Sequence, residues 1–173
     1  SNAITGESKK KEDVIGTSGD DVLANGKGKD SLTGGDGADS FVFTGNETFK
    51  KKLADEITDF DASEGDSIVI TEEVVANPAV TDDIIDTLVN TTAIEIPTAE
   101  TPKELKKLSD DGHIFIYDER KGELLIDSNG SEKGLAEKGI DPLIASLGKS
   151  TELTDKLVDQ VIEDLEADPT LAI

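Results

Sequence analysis

From residue 14 to residue 43 the apolar positions fall in short clusters about nine residues apart: Val14-Ile15, Val22-Leu23-Ala24, Leu32 and Phe41-Val42-Phe43. Polar runs rich in Gly and Asp separate them. Repetition at a fixed period marks a solenoid, in which one unit buries its apolar side only by stacking on its neighbours. Residues 16–42 divide into three nine-residue units in one phase, GTSGDDVLA, NGKGKDSLT and GGDGADSFV. The fourth position is always Gly (Gly19, Gly28, Gly37) and the sixth always Asp (Asp21, Asp30, Asp39). The eighth is always apolar (Leu23, Leu32, Phe41). Gly in the first half lets the chain turn through positive φ, and the apolar residue at position eight sits on a short strand pointing inward.

Beyond the repeats, Ile57, Ile68 and Ile70 alternate with polar residues as half-buried strands do, around a turn at Ala62–Gly65. Residues 113–128 read as a hairpin turning at Glu119–Gly122. Thr101-Pro102-Lys103-Glu104 is a capping box with Pro at the first helical position, followed by Leu105 and Leu108 and ended at Gly112. Thr81-Asp82-Asp83 before Ile84, Ile85, Leu88 and Val89 predicts another short helix. Leu153, Leu157, Val158, Val161, Ile162 and Leu165 recur at three- and four-residue spacing, which predicts a terminal helix over 150–167 stopped by Asp168-Pro169. Residues 1–13 read as the remnant of a cleaved tag (Ser1-Asn2-Ala3) followed by a polar linker. The expected organisation is thus a roll with its capping strands over 14–70 and an α/β cap over 71–173.

Composition narrows the function. The chain of 173 residues carries 39 acidic against 17 basic residues, a net charge of −22. Such a surface disfavours nucleic acid and anionic membranes, and favours cations. Five Phe and one Tyr make the core small and aliphatic, and without Cys no disulfide supports it. No apolar stretch approaches the ~18 residues that read as a membrane-spanning helix, so no membrane insertion is expected. The lone His113, and the absence of HExxH, GxSxG and Walker sequences, point away from catalysis. A non-enzymatic monomer is expected.

With Gly at positions one, two and four, Asp at six and an apolar residue at eight, the units resemble the RTX (hemolysin-type) calcium-binding repeats, which form a parallel β-roll. Hard cations such as calcium take oxygen ligands from carboxylates and backbone carbonyls, which Gly-rich turns can present. Asp55, Ile57, Asp59 and Phe60, then Gly65, Asp66 and Ile68, are similar to the strands that extend the roll in the C-terminal domain of serralysin-type proteases. Tyr117, Asp118, Gly122, Leu124, Asp127, Asn129 and Gly130 are similar to a hairpin of the same secreted domains.

The resemblance implies a mainly β fold, a short calcium-binding parallel β-roll continued by a β-rich cap with a few α-helices. Nine residues make half a coil in that family, so repeats one and three share an edge. It therefore implies one calcium held by Asp21 and Asp39 with carbonyls near Gly16, Ser18, Gly35 and Gly37, and a second held by Asp30 with Asp55 or Asp59. It further implies a secreted, extracellular or cell-surface protein and a type I secretion machinery as partner. The module would fold on meeting extracellular calcium; the alternative is a structural or adhesive module of a cell-surface protein, in which calcium is only structural.

Overall fold

A computed structural model describes residues 3–6, 10–43, 54–71, 96–128, 134–135, 142–148 and 158–162. The protein is mainly β. Six short strands follow one another through the repeats: β1 (Ala3–Thr5), β2 (Asp13–Ile15), β3 (Val22–Ala24), β4 (Ser31–Thr33), β5 (Ser40–Phe43) and β6 (Asp55–Ile57). After them come β7 (Ser67–Thr71), β8 (Thr98–Ala99), helix α1 (Pro102–Asp110), β9 (Phe115–Asp118), β10 (Glu123–Ile126), β11 (Leu143–Ser146) and β12 (Val158–Ile162).

Odd and even strands of the roll lie in different sheets. One sheet runs β1-β3-β5-β7-β12 and the other β2-β4-β6-β11-β10-β9-β8. Neighbours within the roll are parallel, and the register stacks the eighth repeat position in columns. Ile4, Leu23, Phe41 and Ile68 align across the first sheet. Val14, Leu32 and Ile57 align across the second. Both columns point into one core, which continues without a break into the hairpin through Phe115, Tyr117, Leu124, Ile126 and Ile144. Phe41 and Phe60 pack there with ring centroids 6.1 Å apart. Parallel stacking of half-coils, rather than hairpin pairing, is what the nine-residue phase dictates: each unit has a single strand, with its eighth position facing the main core.

The cap follows the expected hairpin. β9 and β10 pair antiparallel, with Gly122 at φ 69° closing the turn. β10 continues to β11, and β11 lies parallel to β6, so the hairpin extends the roll's own sheet. Helix α1 carries the capping box: Thr101 accepts from the Glu104 amide, and Glu104 accepts from the Thr101 amide. Leu105 of this helix packs on Ala54, Leu125 and Leu143.

Two expectations are corrected. The lead-in is not a linker throughout, because Ala3–Thr5 is a strand paired to β3, with Ile4 beside Leu23. The half-coil from β1 to β2 is a degenerate repeat, with Gly6 donating to the Ala24 carbonyl at 3.0 Å and Glu12 where the later units have Asp. The predicted terminal helix is a strand over Val158–Ile162, parallel to β7. Its β-branched Val158, Val161 and Ile162 favour strands. A bulge after Val158 sets Val158 against Ile68 and Val161 against Ile70, so a three-residue apolar spacing fits a strand as well as a helix. The helix predicted at Ile84–Val89, and the rest of 150–167, lie outside the described residues.

Candidate metal centre

The turns between strands collect on two edges of the roll. One edge holds residues 16–21, 34–39 and 58–66; the other holds residues 25–30, Glu12 and Asp55. Along each edge the sixth-position carboxylate reaches back one coil and accepts a backbone N–H from the sixth position there. On the first edge Asp39 Oδ1 accepts from the Asp21 amide at 2.8 Å, and Asp66 Oδ1 from the Asp39 amide at 2.9 Å. On the second, Asp30 Oδ1 accepts from the Glu12 amide at 2.9 Å, and Asp55 Oδ1 from the Asp30 amide at 2.6 Å. These are two ladders of charge-assisted hydrogen bonds, and they hold the coils in register.

The remaining oxygens of these carboxylates differ. Asp55 Oδ2 accepts from Asn25 Nδ2 at 2.7 Å, and Asp66 Oδ2 from the Asp61 amide at 2.8 Å. Asp21 Oδ2 accepts from both the amide and the hydroxyl of Thr17, at 2.6 and 2.7 Å. Asp30 Oδ2 and Asp39 Oδ2 are buried and have no hydrogen-bond partner. A buried carboxylate oxygen with no donor is costly to keep and calls for a counter-charge.

Glycines bring backbone carbonyls to the same place. A Cβ on Gly34 would lie 2.2 Å from Asp39 Oδ2, and one on Gly16 would lie 2.2 Å from the Gly34 carbonyl oxygen. Gly35, at φ 103°, would place a Cβ 1.9 Å from the Thr17 carbonyl oxygen. Only Gly allows these close approaches. They gather the Asp39 carboxylate and the Gly34 and Thr17 carbonyls around one pair of stacked turns.

The residues expected to form the site are therefore partly brought together. Asp21, Asp39, Gly16, Gly35 and Gly37 share an edge, and Gly37 stacks on the backbone of Gly19 and Asp20. Ser18 lies in a bend of the same edge and is exposed. Asp30 meets Asp55 through its backbone amide, which donates to Asp55 Oδ1. Asp59 does not join them: it lies on the opposite edge, where its two oxygens accept from the Gly34 and Gly35 amides, each at 2.9 Å. Asp66, Glu12 and Thr17 complete the ladders and lie outside the expected set of site residues. The signal for the first two is present in the sequence, since Asp66 precedes Ile68 and Glu12 precedes Val14 by the same two residues that separate Asp39 from Phe41.

Burial, the largest influence on both, raises Asp30 and Asp39 above the ordinary carboxylate range. The Glu12 charge adds to it at Asp30, and those of Asp21, Asp59 and Asp20 add to it at Asp39. Among the described residues no three His, Asp or Glu side chains converge on one point. A cation here would depend on one carboxylate oxygen and on backbone carbonyls, a donor set that suits a hard, oxygen-seeking ion.

Asp55 and Asp66 are pushed up to about 6, chiefly by burial. In the unfolded chain an Asp titrates near ~3.9. Their folded values exceed the unfolded one, so between about pH 6 and pH 4 the folded state holds more protons. The cost of ionising these groups is present in full above that window and disappears as the pH falls through it. In chelator-treated protein the melting temperature should therefore be higher at pH 5 than at pH 7, and replacing Asp55 and Asp66 with Asn should flatten the difference. A melting temperature that falls on this acidification would contradict the burial of the two carboxyls.

No family model matches the chain, and no curated protein matches it in sequence.

Proposed function

We propose that this chain is a calcium-binding RTX-type module that folds on extracellular calcium, the C-terminal folding and secretion domain of a protein exported by a type I system. The observation that carries the reading is the pair of orphaned, buried carboxylate oxygens, Asp30 Oδ2 and Asp39 Oδ2, one on each edge of a Gly-turned roll. Asp39 with the carbonyls of Gly34 and Thr17 would hold one ion, and Asp30 in the turn of residues 25–30 the other.

A bound calcium supplies positive charge where the fold buries negative charge. The rest is done by the chain itself. Its position-six carboxylates hold adjacent coils in register, its glycines admit the carbonyls, and its position-eight side chains close the core. At −22 the chain repels itself, and counter-charge in the turns relieves that repulsion locally. Extracellular calcium modules work at a Kd of about 10⁻⁴–10⁻³ M, well above cytosolic levels, so such a chain stays loose inside the cell and folds outside it.

Titration calorimetry tests this. Calcium should bind, and magnesium should bind at least about tenfold more weakly, because it demands a tight octahedron and gives up water reluctantly. Asp30→Asn and Asp39→Asn should each remove one binding event. Equal affinity for both ions, or full calcium binding by both variants, would refute the reading.

A further inference from the structure

The four ladder carboxylates other than Glu12 and Asp21 fall into two kinds. Asp55 and Asp66, at the C-terminal end of the roll, have both oxygens held by donors of the protein. Asp30 and Asp39, in the middle, each keep one oxygen without a partner. At the N-terminal end Asp21 has its Oδ2 occupied by two donors from Thr17 of the same turn.

Thr17 stands at the second position of its repeat, where the other two repeats have Gly26 at φ 74° and Gly35 at φ 103°. A β-branched residue disfavours that left-handed conformation. The first turn accordingly takes another path. Gly19 has no positive φ, whereas Gly28 and Gly37 at the same repeat position have φ of 114° and 117°. The Thr17 amide and hydroxyl then converge on Asp21 Oδ2, and occupy the carboxylate oxygen that corresponds to the orphaned one of Asp30 and Asp39.

We infer that Thr17 closes the first turn to cations, so that ion binding is confined to Asp30 and Asp39, one ion on each edge. The inference rests on the calcium-binding reading above and goes beyond it. Asp21 and Asp39 do not share an ion as equal partners: Asp39 carries it, while Asp21 is satisfied by Thr17 and contributes its amide to the Asp39 carboxylate. The protein thus ends the series of ion-bearing turns with its own donors at both ends, Thr17 upstream, and Asn25 and the Asp61 amide downstream.

Counting bound calcium by native mass spectrometry, with calorimetry for affinity, tests this on the whole chain. The unaltered protein should hold two ions. Asp39→Asn should hold one. Asp21→Asn should still hold two, with a smaller loss of affinity than Asp39→Asn, because the variant keeps the backbone amide that donates to Asp39. Thr17→Gly restores Gly at the second position and withdraws the hydroxyl, and should raise the count to three. Circular dichroism identifies a variant that has lost its fold. Should Asp21→Asn be one of these, Thr17→Gly alone decides. Calcium binding that is lost as fully in Asp21→Asn as in Asp39→Asn, or a count in Thr17→Gly that stays at two, would overturn the role of Thr17 while leaving the calcium reading intact. A protein that binds no calcium at all would overturn both.

Discussion

Chelation is expected to lower the melting temperature by about 10–20 °C and to remove much of the strand signal in circular dichroism. Ligand that binds only the folded state adds RT ln(1 + [L]/Kd), about 2.7 kcal/mol for each site at a hundredfold excess over Kd. Two sites give about 5 kcal/mol, and a chain of this size shifts by roughly 2–4 °C for each kcal/mol. Calcium would matter so much because of what else the roll has to work with. Its strands are mostly three residues long, and the charge of −22 opposes compaction. The Asp ladders hold the coils in register through hydrogen bonds, but they also bury acidic groups whose ionised forms burial disfavours. A melting curve that is the same in chelator and in calcium would show that the ladders and the core suffice alone.

The second large effect is expected from Gly35→Ala. Gly35 has φ 103°, where an L residue is strained, and its Cβ would lie 1.9 Å from the Thr17 carbonyl oxygen. Left-handed backbone costs roughly 1–2 kcal/mol and the forced separation of the coils about 1–3 more, so the loss should be about 2–5 kcal/mol. Gly19→Ala is the matched control. Gly19 shares the invariant fourth position with Gly28 and Gly37, yet it has no positive φ, and a Cβ added there would meet nothing within 4 Å. It should change stability by no more than about 1 kcal/mol and in the stabilising direction, since Ala reduces the freedom of the unfolded chain. Chemical denaturation of both variants in calcium checks the pair. Equal destabilisation would mean that the first turn has the same conformation as the third.

Gly19 illustrates what the sequence could and could not convey. The phase of the repeat was legible because one requirement, an apolar residue inward on each half-coil, repeats at Leu23, Leu32 and Phe41 and is met in register by the fold. The hairpin was legible from local signals too: two short apolar runs, Ile114–Tyr117 and Leu124–Ile126, on either side of a Gly turn. What escaped depended on neighbours distant in sequence. The first half-coil spaces Ile4 and Val14 ten positions apart instead of nine and has Glu12 in place of Asp, so its strand shows only by pairing with β3. The strand Val158–Ile162 imitated a helix because a bulge, invisible in sequence, realigns Val158 and Val161 on β7. The placement of Asp59 turned on which edge the longer turn of residues 58–66 follows, and it joined the amides of Gly34 and Gly35 instead of Asp30. Carboxylate types and spacing identify the ladders, whereas the partner of each second oxygen is a property of the stacked turns.

That second oxygen is where the calcium reading is most directly exposed to test. Crystals grown in calcium, with diffraction recorded for anomalous scattering, should show one peak roughly 2.3–2.6 Å from Asp39 Oδ2 and another at the same range from Asp30 Oδ2. No peak is expected at Asp55 or Asp66, whose oxygens the protein already satisfies. A folded, calcium-soaked protein with no anomalous density at either Asp30 or Asp39 would contradict the reading.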